Sequence, residues 1–236
     1  MAVLDTRMPE VPIADGVQVH RIKTGFHGYF SGDRLLKKLA NEYPSLPILC
    51  FSNIPPGFKP RNQTSVFVQN RFVIEAGAEV TFPPLVAARL AFERNWFRRN
   101  RANAEAFLVQ SASMEIQMRA LFPELSVCVA PFVELADEST ANRTSEVDFV
   151  YVASNDPHKN HARLLEAWSI LATEGHFPSL SLVFSRDLKG DVPSEVERLN
   201  RESKTRVSIW PALPFERRMD VYQRANALIF PSLFES

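Results

Sequence analysis

The chain is poor in the features that would announce its partners. Its 236 residues carry 27 Lys+Arg and 27 Asp+Glu, so the formal net charge is zero. With no excess of either sign to recruit a polyanion, nucleic acid is not an expected partner. Only two cysteines occur, Cys50 and Cys128, each inside an apolar, strand-like run and without the spacing of a metal or redox pair. They read as reduced core residues of a cytoplasmic protein. No apolar run approaches the roughly 20 residues needed to span a bilayer, and no signal-peptide pattern opens the chain. Internal repeats and low-complexity tracts are missing. So is any G-x-G-x-x-G, which argues against a dinucleotide-binding dehydrogenase. His158 and His161 lack the further His, Cys or acid that would complete a metal site, so no metal is expected.

What is present is an ordered alternation of apolar runs and helical patterns. Hydrophobic residues make up 45% of the chain, enough for two modest cores rather than one. In the first half the opening MAVLDTRMPEVP is Pro-broken and reads as weakly structured, with a short strand at 17–22. A helix is expected at 29–43, strands at 47–51 and 65–74, and a long helix at 83–100 that starts at a proline. A strand at 106–110, a helix at 111–122 capped by Ser111 or Ser113, and a strand at 127–131 follow. Residues 134–146, ELADESTANRTSE, lack periodic apolar residues and read as a linker. The second half then runs strand 148–153, helix 160–174, strand 180–184, helix 193–203, strand 206–210, helix 214–224 and strand 226–230. This βαβαβαβ order is the sequence form of a parallel sheet covered by helices on both faces. The expected domains are 1–133, a linker at 134–147, and 148–236.

The richest stretch is 148–168, DFVYVASNDPHKNHARLLEAW. It opens as an unbroken apolar strand, breaks at Pro157, and resumes as a helix with Leu164, Leu165, Trp168 and Leu171 at helical spacing. Asn160 is a good N-cap residue for that helix. In a strand–loop–helix unit of this kind the loop lies at the carboxyl edge of the sheet. Helix N–H groups there favour a bound phosphate. Lys159 supplies the matching charge, and His158 stands beside it.

These residues resemble the retaining GT-B glycosyltransferases of family 4, the group 1 glycosyl transferases. FVYVASNDPHKNHARLLEAW is similar to the family's strand–loop–helix with its G-R-x-x-x-x-K pattern. ANALIFPSLFES resembles the later strand and loop that open the E-x₇-E motif. AEAFLVQSASMEIQMRALFP with VCVAPFVE resembles the last βα unit and strand before the family's hinge. The resemblance implies an α/β protein of two Rossmann-like domains, GT-B type, with the C-terminal one incomplete and the chain truncated at both ends. It also implies a nucleoside-diphosphate-sugar substrate, no cofactor, and a glycan or lipid-linked acceptor whose hydroxyl receives the sugar with retention of configuration. By position, Lys159 takes the diphosphate and stabilises the departing charge, and Glu235 contacts the transferred sugar. Ser154, Asn155, His158, Ser232 and Leu233 fall in the donor-binding loops.

The sequence also departs from the pattern. Ala153-Ser154 stands where the family has Gly-Arg, so one phosphate cation is replaced by a hydroxyl. Gln69-Asn70 ends the strand that often carries a functional histidine, so Asn70 can hydrogen-bond a sugar but cannot act as a general base. In family members without such a base, the leaving phosphate takes the acceptor proton. The second glutamate of E-x₇-E would fall past Ser236. His27, in the glycine-flanked TGFHGYFSG, suits either an acceptor-side loop or an ordinary surface loop. Arg89, Arg94, Arg98, Arg99 and Arg101, with Trp96 and Phe97 beside them, fit either a solvated helix face or a peripheral contact with anionic lipid at the inner face of the membrane. Two other readings stand beside the transferase: a non-catalytic remnant that binds a nucleotide or partner without turnover, and an epimerase of similar fold. As a truncated sheet with an open apolar edge, the chain alone is expected to be marginally stable. Nothing in the sequence chooses among uridine, guanosine and thymidine diphosphates.

Overall fold

A computed structural model of the chain describes residues 1–6, 15–23, 25–77, 80–131, 146–184, 191–210 and 212–233. The chain divides into two compact units, one formed by Met1–Gly77 and Pro83–Glu134 and the other by Ala78–Phe82 and Leu135–Glu235. Most of the stretch read as a linker, together with Glu235, lies outside the described residues.

In the first unit, β1 (Ala2–Asp5) and β2 (Val19–Ile22) form a parallel pair. The opening residues therefore hold a strand rather than weak structure. A four-residue strand has too short a pattern to stand out beside the prolines that follow it. After α1 (Phe26–Glu42) come β3 (Ile48–Cys50), β4 (Thr64–Val68), α2 (Pro84–Asn100), β5 (Ala106–Val109), α3 (Ala112–Leu121) and β6 (Val127–Val129). The sheet order is β3-β4-β5-β6, parallel throughout. Its core packs Val66, Val68, Phe107 and Val109 against Phe97 of α2 and Met114 and Met118 of α3. Ser111 caps α3, its hydroxyl accepting from the Met114 N–H at 3.2 Å.

Four further expectations for this unit are corrected. The strand expected over 65–74 stops at Val68. Phe72, Val73 and Ile74 are buried in and beside a 3-10 turn, Arg71–Val73, so their apolar run marked a packed turn. The glycines around His27 do not mark a loop, because α1 starts at Phe26 and His27 sits exposed in its first turn. Gly28 is there because a β-carbon would strike the Lys23 carbonyl. Cys128 is exposed, since β6 is an edge strand and the alternation that buries Val127 turns its neighbour outward. The α2 arginines do not form one uniform basic face. Arg94 donates to the Phe72 carbonyl at 3.0 Å, Arg101 pairs with Glu124 at 2.6 Å, and Phe97 is fully buried. Among the described residues, no helix is long and apolar enough to cross a membrane.

The second unit contains β7 (Val147–Ala153), α4 (His161–Thr173), β8 (Ser179–Phe184), α5 (Val192–Glu202), β9 (Arg206–Trp210), α6 (Phe215–Gln223) and β10 (Ala225–Leu228). Its sheet is parallel, in the order β10-β7-β8-β9. β7 and β8 are interior strands covered on both faces, which is why β7 is apolar from Phe149 to Ala153 and why the two serines of β8 are buried and hydrogen-bonded, Ser179 to Asp148 and Ser181 to Ser208. Tyr151, Ala153, Leu180, Leu182 and Phe184 meet Leu164, Leu165 and Trp168 of α4 and Val196 and Leu199 of α5. Val150, Val183 and Ala225 face the other way, toward Val221 and Tyr222 of α6. The entry to β7 is clamped by Asp148, whose carboxylate accepts from both the N–H and the hydroxyl of Ser179, at 2.8 and 2.7 Å. These bonds hold its pKa below the ordinary carboxylate value. Because β10 lies beside β7 with Leu228 opposite Val150, the chain leaves both strands at the same edge of the sheet.

Candidate functional site

The site is built where β7 and β10 end. Past Ala153, Ser154–Asp156 leads into a 3-10 turn, Pro157–Lys159. The turn is closed by the Lys159 N–H donating to the Asp156 carbonyl at 2.9 Å and the Asn160 N–H donating to the Pro157 carbonyl at 3.2 Å. Asn160 then takes the left-handed conformation, φ 59° and ψ 36°, and α4 begins at His161. The first helical bond runs from the Leu164 N–H to the Asn160 carbonyl, so the amides of His161, Ala162 and Arg163 lie ahead of it at the positive end of the helix dipole.

Asn160 occupies the N-cap position, but its side chain makes no capping bond. It turns instead to the second loop, where Nδ2 donates to the Pro231 carbonyl at 3.0 Å. That corrects its role: a left-handed residue cannot aim its side chain at the following helix turn, and Asn tolerates the conformation better than most residues. Two further bonds join the same loops. The Leu233 N–H donates to the His158 carbonyl at 2.9 Å. From beneath, the Tyr151 hydroxyl donates to the Lys159 carbonyl at 2.8 Å and lies 3.2 Å from the Ser232 hydroxyl. The Tyr151 side chain is 1% exposed, and its ring also meets Phe230 edge-on with centroids 6.2 Å apart.

The structure thus brings Ser154, Asn155, His158 and Lys159 of one loop together with Ser232 and Leu233 of the other. His27 and Asn70 lie in the first unit. The Asn70 side-chain oxygen is engaged locally, accepting from the Phe72 N–H at 3.0 Å. Sequence reasoning did not single out Tyr151 or Asp156. A tyrosine in an otherwise apolar interior strand was the available signal, because a buried phenol needs a partner for its hydroxyl. Asp156 accepts a 2.5 Å hydrogen bond from the Ser154 hydroxyl, so the position at which the sequence resemblance implies an arginine is tied to a carboxylate.

His161 forms the floor of the first loop. It is 6% exposed, stacked on Phe184 with centroids 5.0 Å apart, and tilted against Tyr151 at 5.1 Å. Burial, helped by the neighbouring Lys159 charge, lowers its pKa to about 4. The imidazole is therefore neutral near pH 7 and serves as a flat packing surface. Among the described residues, no group of three His, Cys, Asp or Glu is placed to hold a metal ion.

Chemically, the two loops present a lysine, hydroxyl and amide groups, and a helix N-terminus along one sheet edge. That combination suits an anionic ligand. Ligands of open α/β sheets bind at the carboxyl ends of the strands.

No protein-family model and no curated protein matches the sequence. Among solved structures, the chain is similar to the crystal structure of WaaG, a glycosyltransferase involved in lipopolysaccharide biosynthesis. The TM-score is 0.60 at 14% identity, over 95% of this chain. The chain spans 64% of the length of that neighbour. At such identity the likeness speaks to fold alone: the chain has the α/β architecture of the GT-B type, with parallel, Rossmann-like sheets.

Proposed function

We propose that the protein is a glycosyltransferase that takes a sugar from a nucleoside diphosphate and passes it, with retention of configuration, to a hydroxyl of a glycan or lipid-linked acceptor. The observation that carries this reading is the joining of the Lys159 loop to the Ser232 loop at the carboxyl edge of β7 and β10. Lys159 and the first amides of α4 receive the diphosphate, and as the glycosidic bond to phosphate breaks they stabilise the charge left behind. Ser154, Asn155 and His158 line the same loop, and Ser232 and Leu233 border the sugar. Glu235, which lies outside the described residues, takes the sugar hydroxyls. With no histidine at position 70, the departing phosphate accepts the acceptor's proton. His27 and Asn70 belong to the acceptor side, and the protein works in the cytoplasm, against the membrane if its acceptor is lipid-linked. No cofactor takes part.

The test is transfer from labelled uridine, guanosine and thymidine diphosphate sugars by the full-length protein. Lys159→Ala should lower turnover about a hundredfold, the scale of losing one charge-stabilising donor. Tyr151 holds the backbone carbonyl of Lys159, so that bond survives the substitution. Undiminished turnover in that variant would overturn the assignment. A second reading, nucleotide binding without turnover, draws support from Asp156, whose carboxylate accepts from the Ser154 hydroxyl at the position where the resemblance implies a phosphate-binding cation. Tight binding of a nucleoside diphosphate with no transfer from any donor would select it.

A further inference from the structure

We infer that Tyr151 is a positioning residue: its buried hydroxyl sets the donor site by joining the loop that carries Lys159 to the loop that carries Ser232. The inference rests on the transferase reading for its ligand and on geometry for the joint itself. Three features single Tyr151 out. It comes from an interior strand of the sheet, is 1% exposed, and has its ring against His161 and Phe230. Its hydroxyl donates to the Lys159 carbonyl at 2.8 Å, the point at which the 3-10 turn passes into Asn160 and α4. The same oxygen lies 3.2 Å from the Ser232 hydroxyl, 81 residues along the chain.

A phenol that donates to one carbonyl retains lone pairs, so the Ser232 hydroxyl is the donor in the second bond. The network then has one sense: serine to tyrosine to the Lys159 carbonyl. Each bond orients the next, and consecutive bonds of this kind polarise one another. The Leu233–His158 and Asn160–Pro231 bonds run between the loops at their surface, whereas Tyr151 fixes both to the sheet. Without its hydroxyl the loops would still touch each other and the Ile229 N–H would still donate to the Val150 carbonyl at 3.0 Å, but the Lys159 carbonyl and Ser232 would lose their hydrogen bonds to a side chain of β7. A ligand held by both loops depends on those bonds, because displacements well below 1 Å weaken charge-assisted contacts.

The closing experiment compares the full-length protein with Tyr151→Phe, which keeps the ring packing and removes one oxygen. Amide hydrogen exchange, read without ligand, should speed up at Leu233 and Asn160. Calorimetric binding of uridine, guanosine and thymidine diphosphates and the corresponding monophosphates forms the second arm. Diphosphate affinity should fall about tenfold, the equivalent of one hydrogen bond to an engaged group. Monophosphate affinity should change much less, so the ratio between the two moves. A merely structural role would weaken both ligands alike and leave that ratio unchanged. Adding Tyr151→Phe to Lys159→Ala should cost less than the product of the two separate losses, since the tyrosine acts in part through the lysine loop. Unchanged exchange at Leu233, or an unchanged ratio, overturns the inference. Faster exchange in a protein that binds no nucleoside diphosphate in either form keeps the joint and removes the donor reading, so the two failures are distinguishable.

Discussion

Two loops leave the carboxyl ends of parallel strands, one in each unit, and they are closed over different spans of sequence. The loop after β4 is tied to the loop after the adjacent strand β3, 16 and 17 residues back in the chain. Asn53, left-handed at φ 68°, accepts from the Gln69 and Asn70 amides at 2.6 and 2.9 Å, and Asn70 accepts from Phe72. The loop after β7 is closed by residues 71 and 81 positions away, through Asn160–Pro231 and Tyr151–Ser232. Contacts over such spans add little loop-closure entropy beyond what the β10–β7 pairing has already taken. What they change is dependence. The first loop leans on its neighbour through one side chain, Asn53, whereas the halves of the second are joined through Asn160, Leu233 and Tyr151, an arrangement suited to a ligand touched by both.

The largest effect expected from this contrast is in the first unit. Asn53→Ala removes the acceptor of two backbone amides and puts an alanine, which tolerates the left-handed region less well than asparagine, at that position. A loss of roughly 3 kcal/mol in chemical unfolding is expected. A loss below about 1 kcal/mol would mean that the Asn53 bridge is not what holds that loop.

Acid should separate the loops next. The floor of the β7 loop is His161, held neutral with a pKa of about 4 against an ordinary 6.5. Above pH 6.5 the imidazole is neutral whether folded or unfolded, and the stability is fully present. As pH falls toward 4 the unfolded chain takes up a proton that the folded chain refuses, so stability drops across that window and levels off below it. The drop should be about 1–2 kcal/mol, solvent near the loop screening part of the linkage. His161→Phe should flatten this part of a melting-temperature profile between about pH 4 and 7. A profile equally steep in the variant would assign the slope to other groups.

Local chemistry explains which parts of this arrangement were legible in the sequence. The alternation of β7, α4, β8, α5, β9, α6 and β10 could be read because short apolar-rich runs alternate with stretches that carry apolar residues at helical spacing. The place of Lys159 in the turn ahead of α4 could be read because Pro157 and polar neighbours interrupt the apolar pattern between strand and helix. The 3-10 turn at Arg71–Val73 could not, since a buried turn and a buried strand both show a short apolar run. Nor could Cys128 be placed: its neighbours look like core, and only the position of β6 at the sheet edge exposes it. The joint between the β7 and β10 loops is invisible for a different reason. Tyr151 and Ser232 are 81 residues apart, and only the β10-β7 strand order makes them neighbours.

Asn160 offers the smallest and sharpest test of remote closure, because its two contributions come apart in two substitutions. Its backbone is left-handed, and its amide reaches the Pro231 carbonyl. Asn160→Gly keeps the conformation and removes only the amide, so stability should fall by about 0.5–1 kcal/mol, one exchanged hydrogen bond less. Asn160→Ala also removes the amide and should fall by about 1 kcal/mol more, the added strain of an alanine in that region. In both variants the Leu233 amide should exchange faster than in the parent, because its partner carbonyl at His158 lies in the loop that has been released. If the glycine variant matches the parent in stability and in exchange at Leu233, the side-chain bridge contributes nothing. Remote closure would then reduce to Tyr151 and the single backbone bond between Leu233 and His158.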